Sequence, residues 1–120
     1  MSQKLLIPLY GNEVAPRFDL ATEAVIVSTD EKGEKTDEKM VVLPQASGEQ
    51  LCHLILTEGV QLVICGGIEE EYYQYITWKR VRVLDSVIGP YESVLEHFRK
   101  GALRAGDILY RRKGLGKTEA

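Results

Sequence analysis

The chain has 120 residues, a length that builds one domain around one core, and its 44% hydrophobic and 28% charged residues are those of an ordinary globular protein. No apolar run approaches the roughly 18 residues that span a bilayer, and the start, MSQKLLIPLYGN, lacks the signature of a secretory signal, which points to the cytoplasm. Of the formal net charge of −3, Arg111, Arg112, Lys113 and Lys117 against Glu119 place +3 on the last ten residues and leave −6 on the body, a balance that speaks against a nucleic-acid partner.

Lys4 to Tyr10 reads as a strand rich in Leu and Ile, and Ala24 to Thr29 as a second one. DEKGE then makes a turn with Gly33 in the left-handed position, leading into a third strand near Glu38 to Leu43 that forms a hairpin with the second. SGEQLCHLILTEG has the marks of a helix: Ser47 as cap, Gln50 in capping-box position, Leu51, Leu54 and Ile55 on one face, and Gly59 as stop. VQLVICGG is a nearly all-apolar run of strand length, which suits a strand buried on both faces. IEEEYYQYITWKR predicts a second helix, VRVLDS a fifth strand, and PYESVLEHFRKG a third helix with Pro90 in its first turn and Gly101 beyond its end. Residues 1–109 are therefore expected to form a single domain, with 110–120 as a basic, disordered tail.

Strands alternating with helices in the second half imply right-handed crossovers and parallel pairing, while the first half supplies an antiparallel hairpin. The expected fold is α/β, with a mixed five-stranded sheet of order 3-2-1-4-5 and helices on both faces. Pro8 resists a central position for the first strand, because proline cannot donate a ladder bond. In such a sheet, ligands bind at the carboxyl ends of the strands beside the switch in order, where two segments lie here, GNEVAPRFDLA and CGG.

In the first segment, Gly11 and Asn12 permit positive φ, Pro16 stiffens the chain, and Arg17 offers a fork of donors suited to an anion. The bland alternative is that Val14 and Phe18 pin the loop to the core while Arg17 and Asp19 form a surface ion pair. In the second, Gly66 and Gly67 let a ligand approach backbone amides, and Cys65 could reach a soft metal. Against this stands a space-filling cysteine beside a tight turn, and the acids Glu69, Glu70 and Glu71 that would repel an anion. Cys52 and Cys65 make no disulfide framework, Cys52 reads as a packing residue, and His53 and His97 lie outside any metal-ligand spacing and read as solvent-facing. The aromatics of EEEYYQYITW suggest a partner surface, with Tyr72 and Ile76 or Tyr73 and Thr77 as the buried pair of an amphipathic helix. GLGKT near the end imitates a phosphate-binding loop but has Arg111 where a glycine is needed. Ribonuclease-H-like nucleases share a sheet of this order, yet KLLIPLY carries none of the acids that two-metal cleavage requires.

Taken in order, IPLYGNEVAPRFDLATEAVIVSTDEKG, GVQLVICGGI and VLDSVIGPYESVLEHFRKGAL resemble the dinitrogenase iron–molybdenum cofactor biosynthesis family over roughly residues 4–109. The resemblance implies a ribonuclease-H-like fold and a non-enzymatic carrier of an anionic metal–sulfur cluster: an iron–molybdenum cofactor precursor, an iron–sulfur cluster or a molybdenum–copper sulfide. It further implies donor and acceptor proteins as partners, and a proline near the end of the first strand, as Pro8 is. By motif, the cluster-facing positions are Val14, Arg17, Phe18, Cys65, Gly66 and Gly67, with Cys65 as the candidate metal ligand. Many cluster-binding members have His where this chain has Arg17, and Arg offers charge and hydrogen bonds but no lone pair for a metal. The alternative is a non-catalytic interaction or regulatory module that has lost cluster binding, with the aromatic helix as its contact surface.

Overall fold

A computed structural model describes residues 2–110. The basic tail expected over 110–120 therefore lies, save for Tyr110, outside the described residues. The strands are β1 (Gln3–Tyr10), β2 (Glu13–Val14), β3 (Glu23–Thr29), β4 (Lys35–Val42), β5 (Leu62–Ile64) and β6 (Arg82–Leu84); the helices are α1 (Gly48–Thr57), α2 (Glu70–Trp78) and α3 (Tyr91–Arg99). They form an α/β fold with one mixed sheet in the order β4-β3-β1-β5-β6, in which β2 pairs with β1 off the main path. The sheet has six strands, not the expected five, because the loop after β1 folds back to make β2.

The central place of β1 follows from its sequence. Leu5, Leu6, Ile7 and Leu9 are all buried; Leu6 joins the core beneath α1 and α2, while Leu5, Ile7 and Leu9 join the core beneath α3. Alternate residues of a strand point to opposite faces, so a strand apolar on both faces needs a layer on each side. The difficulty with Pro8 dissolves in the register. Its carbonyl accepts from Ala15 N at 2.8 Å, so its own nitrogen turns to that same side, away from the β3 ladder, and pairing with β5 has ended at Leu6 and Val63.

Ser47 caps α1 as its sequence predicts, its hydroxyl accepting from Gln50 N at 3.1 Å, and Gly59 follows with φ +71°. Pro90 stands one step outside α3, with ψ 139°, as the cap and not in the first turn. The third predicted strand starts earlier than expected, at Lys35, because the residues of β4 are nearly all exposed and carry no alternating apolar signal to mark its start. α2 stops at Trp78, two residues short, where Arg80 takes a left-handed conformation with φ +69°. No helix among the described residues is long and apolar enough to cross a membrane.

Candidate functional site

The loop after β1 is built inward from its hairpin. Gly11, at φ +65°, and Asn12 turn the chain so that Val14 pairs with Leu9 and Glu13 with Tyr10. Val14 N then donates to Gly89 O at 3.0 Å and Tyr91 N to Asn12 O at 2.9 Å, which ties the hairpin to the start of α3. Leu9 pairs with Val14 on one side and Glu23 on the other, so β2 takes the place beside β1 that β5 has left vacant.

The loop and the CGG segment are brought together, and by direct backbone pairing. Gly67 N donates to Pro16 O at 2.7 Å, and Phe18 N donates to Gly67 O at 2.8 Å. A Cβ on Gly66 would stand 2.4 Å from Ala15 O, so the glycine is needed for one chain to approach the other, not to admit a ligand. The Gly67 amide, expected as a cluster donor, is committed to this junction.

Three of the other expected contact residues lie in the core. Val14 and Phe18 are buried and serve as the anchors of the loop, Val14 in the core under α3 and Phe18 in the core under α1 and α2. Cys65 is 0% exposed, and burial, followed by the charge of Asp85, pushes its thiol up to about 12. The thiol is packed into the core under α1 and α2, and among the described residues it belongs to no group of His, Cys, Asp and Glu that could hold a metal ion. Cys52 is likewise buried and pushed up to about 11, by burial first and Glu49 second, in keeping with its expected packing role. Among the described residues, no group of three or more His, Cys, Asp and Glu side chains is arranged to hold a metal ion. His53 is exposed, whereas His97 is half-buried, its Nδ1 3.1 Å from Ser93 O.

Arg17 alone of the expected side chains stands in the open, with 51% of its side chain exposed. Its Nε and Nη2 donate to the Asp19 carboxylate at 3.1 and 3.0 Å, and Nη2 also donates to Glu69 at 3.3 Å. The ion pair considered as the bland reading is thus present, with a second acid from the cap position of α2. Sequence reasoning missed Glu69 as a partner, since only the fold brings residues 52 positions apart into contact.

The loop divides the carboxyl edge into two crevices with Pro16 on the ridge between them. One, of about 560 Å³, is walled by Leu9, Ala15, Leu20 and Ala21, with Arg17 and Glu23 at its rim. The other, of about 400 Å³, lies between Glu13, Gly66, Gly67, Ser86 and Tyr110; the Tyr110 hydroxyl donates to Glu13 and closes one end. Ser86 has φ +60°, a strained value for a residue with a Cβ, and nothing in the sequence announced it.

Among solved structures, the chain is similar to the protein PH0822, at 20% identity and a TM-score of 0.77, over 86% of this chain and 96% of that one. It is similar also to a protein from Methanocaldococcus jannaschii provisionally named a dinitrogenase, at 22% identity and a TM-score of 0.70, over 86% and 93%. A third is a Thermotoga protein provisionally named NifB, at 18% identity and a TM-score of 0.68, over 93% and 99%. At these identities the likeness speaks for the fold. No curated protein matches the chain. The family model described as dinitrogenase iron-molybdenum cofactor matches residues 4–101, which takes in the loop, the CGG junction and all three helices, and the chain belongs to that family.

Proposed function

We propose that the protein holds an anionic metal–sulfur cluster as cargo, enclosed and not ligated, in the 560 Å³ crevice at the carboxyl end of β1. The observation that carries this reading is the crevice itself: a mostly apolar hollow in a family named for the iron–molybdenum cofactor, with one guanidinium at its rim. Iron–molybdenum, iron–sulfur and molybdenum–copper sulfides are the candidate cargoes. The residues present favour enclosure: Cys65 is buried and does not line the crevice, Arg17 has no lone pair to give, and the Gly67 amide is occupied. Cargo of this charge must draw Arg17 away from Asp19 and Glu69, which hold it in the absence of an anion. We read the sheet as a ribonuclease-H-like frame used for carriage and not for catalysis, since Lys4–Tyr10 contains no Asp or Glu.

The test is anaerobic incubation with tetrathiomolybdate and copper, or with an iron–sulfur precursor, then removal of unbound metal, absorption spectra and elemental analysis. Retention of metal and sulfide in a fixed ratio is expected. Asp19→Asn should hold the cargo more tightly by freeing the guanidinium, and Arg17→Ala should weaken it about tenfold, the scale of one charge-assisted contact. Protein that emerges free of metal and sulfide with every precursor overturns the reading.

A further inference from the structure

The two faces of the sheet are finished differently. On the α3 side, Arg99 pairs with Glu34 and Glu96 at 3.3 Å each and Lys100 with Glu96 at 3.5 Å, and α3 presents no large apolar side chain to solvent. On the other side, α1 and α2 leave a groove of about 360 Å³ between them, floored by Cys52 and Tyr72 and edged by Leu56 and Tyr75. Leu56 is 37% exposed, Tyr75 40% and, one turn further along α2, Trp78 74%. The two rings lie 6.4 Å apart and Lys79 Nζ stands 4.9 Å over that of Trp78, a cation–π contact at the outer end of the aromatic pair. Such a cluster, between two helices, has the size and character of an anchor site for a partner's apolar side chains.

Charge decides what the partner is. Glu49 of α1 and Glu71 of α2 border the groove from opposite sides. Their carboxylates are felt on its floor: the Tyr72 hydroxyl is pushed up, by burial first and then by Glu71 and Glu49. A second copy of the chain would bring these acids against their own counterparts, and an anionic lipid or nucleic acid would be repelled. We propose that the groove between α1 and α2 docks a basic amphipathic helix of a partner protein, its apolar stripe on Leu56, Tyr75 and Trp78 and its flanking Lys or Arg residues on Glu49 and Glu71. This surface is separate from the crevice beside Arg17 and stands whether or not that crevice takes a cluster.

Trp78 is the chain's one tryptophan and, with its ring 6.4 Å from that of Tyr75, reports on the edge of the groove. The probe is a synthetic helical peptide of about 16 residues, with Leu at i, i+3, i+4 and i+7 and Lys elsewhere, set beside its Glu-substituted counterpart. The Lys peptide should shift Trp78 emission to shorter wavelength and saturate, weakening about tenfold from low to high salt, and the Glu peptide should bind at least about tenfold less tightly. Glu49→Gln with Glu71→Gln should lose that preference. Glu92→Gln with Glu96→Gln, which removes the same charge from the α3 side, should leave it unchanged. Tyr75→Ser, with helix content checked by circular dichroism, should weaken binding about tenfold. The proposal is overturned if both peptides bind alike, if the Lys peptide leaves Trp78 unmoved, if the α3-side pair matters as much as the groove pair, or if sedimentation shows a dimer with Trp78 buried. Metal takes no part in this experiment, so its failure leaves the cargo reading intact, and the reverse holds too.

Discussion

Beneath α3, and again beneath α1 and α2, the sheet packs a core of comparable make-up, yet the helices that cover the two cores differ in what they show to solvent. Leu5, Ile7, Val25, Val27 and Val94 fill one core, and Leu6, Ile26, Leu51, Ile55 and Ile76 the other. What differs is the outer layer. α3 covers its solvent side with ion pairs, whereas α2 displays Tyr75 and Trp78. Both cores hold the sheet, while the exposed aromatics of α2 lie outside them and are free to serve the proposed docking.

Substitution can sharpen this contrast. Phe18→Ala should have the largest effect, a loss of about 3–5 kcal/mol in urea unfolding, since the ring is fully buried and the loop is anchored by it. A loss below about 1 kcal/mol would mean that the loop is not part of the core under α1 and α2. Gly66→Ala comes next, at about 1–3 kcal/mol, because the added methyl meets backbone oxygens that cannot swing aside as a side chain would. Smallest is a matched pair on the two surfaces. Arg99→Ala should cost about 0–1 kcal/mol by removing exposed ion pairs, and Trp78→Ser within about 0.5 kcal/mol either way. Only the second should weaken binding of the Lys peptide, read by titration calorimetry because the Trp78→Ser chain has no tryptophan, and a Trp78→Ser variant that unfolds at much lower urea would erase the distinction between the two layers.

The elements were legible in the sequence where periodicity carried them: β1 from its continuous apolar run, α1 from its cap and stop, α2 from the four-residue spacings of Tyr72 with Ile76 and Tyr73 with Thr77, which left open the pair that is buried. β2 was not, because two residues acquire strand character only from the partner they meet. Nor was the start of β4, an exposed edge whose Lys, Thr, Asp and Glu residues read as a loop. At the site, position was legible and role was not. Sequence reasoning set GNEVAPRFDLA and CGG on the same edge, and they do meet there. Whether Val14, Phe18 and Cys65 face a ligand or the core depends on which way each side chain turns, and the core claimed all three. Arg17 carried the right chemistry for an anion, but Glu69 reaches it only through the fold.

Two contacts tie the loop after β1 to α2, beneath the groove. The ring of Phe18, at the root of the loop, lies 5.7 Å from that of Tyr72, centre to centre, and Tyr72 floors the groove between the helices. Arg17 and Glu69 add a second tie between the same two segments. The crevice and the groove have no lining residue in common, so any coupling between them must pass through these two contacts, and by reciprocity it would act equally in both directions. Replacing Phe18 with Leu, which keeps the anchor apolar but removes its ring, isolates the aromatic contact from the Arg17–Glu69 tie.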